Sequence, residues 1–283
     1  MATQKGNSSA VRTIRLVPYA GEMIKPAELI DISGAGDLSL VARRIYNQLI
    51  ANAFGVDMAR YGHEWSIPLS ELRGSHHSNE HVAEAIEALM RTIVTVRLVG
   101  GKTRRVQLLG GNDMDDADRI HGQLSYSFDH RLVDLLKNST IFGKLEVAVM
   151  MAFSTKYALA LYEAVARRVR LSNVFSEEFT LDAFRGLLGV SEGKLTSYGN
   201  LNLKAIKPAV TEINAMASFG VRIIPIKEAR KVVRVKVGWW QKNDDELRDA
   251  FAELKRPKVG RKARINGDVD RFVSVPPLPS FPG

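Results

Sequence analysis

Several short stretches of this chain carry residue types that do chemistry in other settings. "HHSNEH" sets His77 and His81 four apart, the spacing at which two imidazoles on one helix face grip zinc. No third ligand stands beside them, and the stretch falls where a helix begins. "GNDMDDADR" gathers Asp113, Asp115, Asp116 and Asp118, but a calcium loop needs Gly where Asp118 stands and Glu where Leu124 stands. "GVSEGKL" approaches a phosphate loop, yet it has three residues between its glycines instead of four and Leu195 where Ser or Thr would hold magnesium. Tyr157 and Tyr162 fall on a helix that packs in the core, and the chain lacks the His-hydrophobe-His triplet that holds a metal beside a nicking tyrosine. The sequence therefore predicts no catalytic residue, no metal and no cofactor. What remains is cationic. In "NLKAIKPAVTEIN" and the three residues after it, Lys204, Lys207 and Thr211 occupy one side of a helical run, while Leu203, Ile206, Val210, Ile213 and Ala217 line the other. Basic and hydrogen-bonding groups on the free face of a helix suit the major groove of DNA.

Composition points the same way. The 283 residues are 45% hydrophobic, enough for one large domain or two ordinary ones. Cysteine is absent, which excludes disulfides, thiolate zinc sites and cysteine nucleophiles and suits a reducing compartment. With no long apolar run and no basic-then-apolar leader pattern, the expectation is a soluble, cytoplasmic protein without a membrane partner. Forty Lys plus Arg against thirty-one Asp plus Glu leave a formal charge of +9, which favours polyanionic partners, nucleic acid before anionic membrane. Part of the excess sits in "KRPKVGRKAR" near the end.

The elements that must position these residues follow one plan twice. Residues 1–36, rich in Gly, Ser and Ala and ending in "SGAGD", read as a flexible arm. "DLSLVARRIYNQLIANAF" predicts a long helix capped by Asp37 or Ser39. "EWSIPLSELRG" predicts a short helix capped by Ser66, and "SNEHVAEAIEALMRTIV" a further helix. "VTVRLVGGKTRRVQLL" predicts a hairpin turning at Gly100-Gly101. The order recurs about 115 residues later. "STKYALALYEAVARRVRLS" is the long helix, capped by Ser154 or Thr155, and "FTLDAFRGLLGV" the short one, capped by Thr180. After "GVSEGKLTSYG" comes the helix with Lys204 and Lys207, and then the hairpin "GVRIIPIKEARKVVRVKVGWW". Two helices joined by a turn and followed by a hairpin make a winged helix.

The predicted fold is α+β, with tandem winged-helix domains over 37–140 and 141–242. Residues 243–283 hold a terminal helix capped by Asn243 and a disordered basic, Pro-rich tail. The halves differ in charge. The first domain's second helix carries Glu80, Glu84 and Glu87 against Arg91 and His81, so its wing, with Lys102, Arg104 and Arg105, is the expected phosphate contact. Pro208 interrupts the reading helix. It either permits a bend that aims Lys204 and Lys207 along the groove or begins a fresh helix.

"LSLVARRIYNQLI", "WSIPLSELRG", "STKYALALYEAV", "FTLDAFRGLLGV" and "LKAIKPAVTEIN", in that order, resemble the plasmid replication initiator (Rep) proteins that bind iterons through two winged-helix domains. The resemblance spans roughly residues 37 to 240. It implies binding to double-stranded DNA at origin repeats as a monomer, origin opening with a host initiator and replicative helicase, and repression of the chain's own operator as a homodimer. It also implies that Lys204 and Lys207 lie in the recognition helix, with Tyr198, Asn200 and Asn202 at its leading edge and Lys194 in the turn before it. Glu212 and Asn214 are implied to be structural. A tandem winged-helix transcription regulator would use the same residues. An origin-nicking enzyme is disfavoured by the absent metal motif.

Overall fold

The structure, a computed structural model, describes residues 11–73, 80–98, 101–115 and 121–267. Its first round of elements is β1 (Glu22–Pro26), α1 (Ala27–Ile30), α2 (Leu40–Ala53), β2 (Trp65–Pro68), α3 (Leu69–Arg73), α4 (Glu80–Arg91), β3 (Ile93–Arg97) and β4 (Thr103–Gln107). β5 (Asn112–Met114), β6 (Gln123–Tyr126) and α5 (His130–Asn138) complete the first half. The second round is β7 (Phe142–Glu146), α6 (Val147–Ala152), α7 (Lys156–Arg168), β8 (Ser176–Thr180), α8 (Leu181–Leu187), α9 (Tyr198–Leu201), α10 (Lys207–Met216), β9 (Phe219–Glu228) and β10 (Lys231–Gln241). α11 (Asp244–Lys255) and α12 (Arg261–Asn266) follow.

Side-chain caps set the helix starts. Ser39 accepts from the Ala42 N–H at α2 and Thr155 from the Ala158 N–H at α7, so the two long helices begin alike. Thr180 caps α8 through the Ala183 N–H, and Asn243 with Glu246 forms a reciprocal capping box on α11. Ser66 is not a cap. It sits in β2 opposite Ser125 of β6, because Pro68 holds the residue before it extended and the helix starts only at Leu69. Three-stranded sheets β2-β6-β5 and β8-β10-β9 serve the two halves, and β3-β4 forms a separate two-stranded wing.

Part of the expected arm belongs to the core, chiefly residues 23–29. β1 pairs antiparallel with β7, from Glu22 opposite Glu146 to Pro26 opposite Phe142, so the first strands of the two rounds join at the centre. Met23, Ile24 and Leu29 are at most 2% exposed there. Lys25 is buried too. Its ammonium donates to Asn47 Oδ1 at 2.8 Å and to Glu163 Oε2 at 2.9 Å, while Asn47 Nδ2 donates to Glu163 Oε1 at 2.6 Å. Burial pushes the Lys25 ammonium below its ordinary pKa, against the pull of Glu163. Removing one member of such a pair leaves a buried charge unmatched, a loss of about 3–5 kcal/mol. β1, α2 and α7 thereby fix the two halves against each other.

The basic run near the end is partly folded as well. Arg261 donates to Glu253 Oε1 at 3.3 Å and to the carbonyls of Glu253, Leu254 and Arg256, and Arg264 reaches Glu253 Oε1 at 2.8 Å. Burial alone would raise the Glu253 carboxyl, but Arg264 and Arg261 outweigh it and hold the carboxyl below its ordinary value. α12 is therefore pinned to α11, where the sequence suggests a free tail. Residues 268–283, with the remaining part of that expectation, lie outside the described residues, as do residues 1–10 of the arm.

Candidate nucleic-acid interface

α8 and the helix that follows it are separated by a turn whose shape one side chain holds. Arg185 donates to the carbonyls of Lys194 at 2.7 Å and Thr196 at 3.1 Å, and also to that of Leu195, a residue at φ +48°. Ser197 then caps α9 by accepting from the Asn200 N–H at 3.2 Å. From Tyr198 to Met216 the chain stays helical, with a π-turn over Asn202–Ile206 in which the Lys207 N–H bonds to the Asn202 carbonyl.

Pro208 explains that turn. Its ring would collide with the carbonyl of Lys204 in an unbroken α-helix, and it offers that carbonyl no donor. A turn widened by one residue relieves both problems without ending the helix. There is accordingly no fresh helix start at Pro208, since Ile206 and Lys207 keep right-handed helical dihedrals.

The extra residue rotates the upstream part of the helix by about 100° relative to regular winding. Leu201, Ala205, Ile206, Ala209, Ile213 and Met216 form the buried side, each at most 2% exposed. Leu203, expected on that side, is instead 64% exposed, because the π-turn carries it outward. Lys204, Lys207 and Asn200 are exposed on this helix, and Lys194 is exposed in the turn before it. Among the described residues none of the three lysines has an acidic partner within ion-pair distance. Tyr198, Asn202 and Thr211 are half-buried, and burial raises the Tyr198 phenol.

Glu212 and Asn214 anchor the helix to the core. Glu212 accepts from the Ser154 N–H at 2.8 Å and from its hydroxyl, and burial raises its carboxyl against those bonds. Asn214 exchanges two hydrogen bonds with the Val221 backbone, at 3.0 and 2.8 Å, locking α10 to β9.

The first wing divides its cations. Lys102 and Arg105 are exposed, but Arg104 turns back onto α5, donating to the Arg131 carbonyl at 2.8 Å and facing Asp134 at 3.5 Å. Arg104 is therefore not free to hold phosphate, contrary to its neighbour. On α4, Glu84 and Glu87 are exposed; Arg91 pairs with Glu87, and His81 lies 3.7 Å from Glu84. Among the described residues no three metal-ligating side chains cluster, and His77, Asp116 and Asp118 lie outside them.

The second wing is a basic surface that helical spacing alone does not reveal. Arg222, Lys227, Arg230, Lys231 and Lys236 are all exposed along β9, its tip and β10. Their near-alternation with apolar residues in "GVRIIPIKEARKVVRVKVGWW" is the signal in the sequence that points to it. Arg234 differs, being paired with Glu178 at 3.4 Å. Trp239 is buried, its indole N–H donating to the Val174 carbonyl at 3.1 Å. Trp240 lies across Gly220, where any Cβ would collide with the indole.

Two family models match consecutive regions of the chain: "Initiator Replication protein, WH1" over residues 22–166 and "Initiator Rep protein, WH2" over residues 180–239. The chain belongs to the initiator replication protein family. This initiator has the family's two winged-helix domains, and the first match begins at β1, the strand hidden in the apparent arm. The second match contains the Arg185-held turn, the π-turn and the long wing. No curated protein sequence matches the chain. Among solved structures, the Pi initiator protein in complex with iteron DNA superposes with a TM-score of 0.56 at 16% identity, over 81% of this chain and 100% of that one. Domains 2 and 3 of RctB give a TM-score of 0.41 at 10% identity, over 81% of this chain and 95% of the other. The likeness to Pi is one of fold. Among the described residues of this initiator, no helix is long and apolar enough to cross a membrane.

Proposed function

We propose that this initiator acts at a plasmid origin by binding repeated double-stranded sites, with the second half reading bases and both wings holding phosphate. The observation that carries this reading is the outward face of α9–α10, where Asn200, Lys204 and Lys207 stand exposed beside Lys194 with no acidic partner among the described residues, on a helix anchored to the core by Glu212 and Asn214. Lysine donors suit guanine edges and asparagine suits adenine, while Lys102, Arg105 and the second wing's cations suit phosphate. The Pi protein, similar in fold, is described in complex with iteron DNA, which supports the same class of ligand. Origin opening with a host initiator and helicase, a dimer that represses its own gene, a cytoplasmic location and the absence of catalysis complete the proposal.

A direct test uses repeats of about twenty base pairs, two helical turns, sought beside the coding region. A plasmid carrying only that region and this gene should replicate, and the purified chain should protect the repeats from nuclease. Protection without replication would make the chain a regulator instead. A nick in the repeats would overturn the non-catalytic reading.

A further inference from the structure

Leu203 sits where an apolar side chain has no reason to sit for the sake of the fold. A lone exposed leucine is ordinary on a protein surface, but this one lies on the outward face of the reading helix, with Lys204 beside it and Asn200 and Lys207 within four residues. Every other leucine, isoleucine or methionine from Tyr198 to Met216 is at most 2% exposed, whereas Leu203 is 64% exposed. The exposure has a structural cause, the π-turn imposed by Pro208, which rotates Leu203 out of the line with Ile206 and Ile213. α4, at the equivalent place in the first half, shows no such residue: Val82, Ile86 and Leu89 are buried and its outer face is charged.

In the major groove, the one apolar group among the base edges is the thymine 5-methyl. We infer that Leu203 packs on that methyl at one position of the bound site and so selects thymine there. This rests on the reading of α9–α10 as the groove helix. Lys204, Lys207 and Asn200 supply the polar contacts around it; Leu203 distinguishes thymine from cytosine by apolar contact, without a hydrogen bond.

The test starts from duplexes selected out of a random pool by the full-length chain. In the selected duplex each thymine is replaced, one at a time, by deoxyuridine, which keeps its pairing and lacks the methyl. Wild type should lose about fourfold in affinity at one position, the size expected for one methyl returned to water. Leu203→Ala should lose a similar factor on the thymine duplex and show no further loss with deoxyuridine at that position. Lys204→Ala, weaker throughout, should keep the deoxyuridine effect. Because Leu203 is exposed, the alanine variant should unfold at the wild-type temperature. Wild-type affinity indifferent to deoxyuridine everywhere, or an undiminished effect in Leu203→Ala, would overturn the inference while leaving the groove helix in place. A chain that enriches no sequence at all removes both.

Discussion

α4 and α9–α10 occupy the same place in two rounds of one architecture and offer opposite surfaces. α4 presents Glu84 and Glu87, and its Arg91 pairs with Glu87 one turn before it. α9–α10 presents Lys204 and Lys207 with no acidic partner among the described residues, and Lys194 precedes them. The wings differ in the same sense. β3 and β4 are 5 residues each and give one of their arginines to α5, whereas β9 and β10 run to 10 and 11 residues and, with the turn between them, keep five cations exposed besides the paired Arg234. A winged helix is thus a frame. On the proposed function, charge on one helix face and reach in the wing suit it to DNA, and both are concentrated in the second half.

The largest effect is expected from Lys204→Ala with Lys207→Ala. A lysine that reads a base edge should cost about 1–3 kcal/mol of specific affinity when truncated, and one that holds a phosphate about one unit of salt slope. Titrations of matched and scrambled repeats at several salt concentrations separate the two, and unchanged binding would remove α9–α10 from the interface. Pro208→Ala comes next. Alanine restores the backbone donor and lets the π-turn relax to regular winding, so specific affinity should fall by about tenfold, the worth of one misplaced base-reading side chain, while the thermal midpoint holds or rises. An unaltered affinity would show that the turn does not aim the helix.

Giving α4 a basic face tests the comparison from the other side. Glu84→Lys with Glu87→Lys should raise non-specific affinity and steepen the salt slope by about two units without creating a sequence preference. A new preference in a selection from random DNA would make charge alone sufficient for reading. Lys102→Ala with Arg105→Ala should lower the slope by about one to two units and leave preference unchanged. Arg104→Ala should be the mildest. Its pair with Asp134 is partly exposed, so unfolding should shift by no more than about 1 kcal/mol and DNA titrations should match wild type. A drop in salt slope equal to that of Arg105→Ala would show that Arg104 leaves Asp134 to meet phosphate.

Much of the frame is legible because its signals are local. Thr155, Thr180 and Asn243 each cap the helix their spacing predicts, and the turn at "KEAR" separates two alternating runs that pair as β9 and β10. β1 is not legible. "EMIKP" contains a lysine and a proline, poor strand residues by composition, and it is a strand because Lys25 finds Asn47 and Glu163 inside the core. At the candidate interface, the lysine face can be read from helical spacing, but the same spacing puts Leu203 on the wrong side because it assumes regular winding and Pro208 breaks it. Arg104 cannot be told from Arg105 without α5, whose Asp134 and Arg131 carbonyl decide which arginine turns inward.

The pairing of β1 with β7 imposes an order on synthesis. Lys25 meets Glu163 across 138 positions of chain, and β1 has no strand partner until β7 has left the ribosome. Loop closure grows only logarithmically with length, so the finished molecule loses little stability by joining such distant segments. The nascent chain bears the consequence instead. Until Leu145 and Glu163 emerge, Met23 and Ile24 lack the cover of β7 and the ammonium of Lys25 lacks its carboxylate, so β1 remains an unpaired edge. A message truncated between α5 and α7 should therefore yield a product with β1 exposed and without α9–α10, open to proteases before it can compete with the full chain.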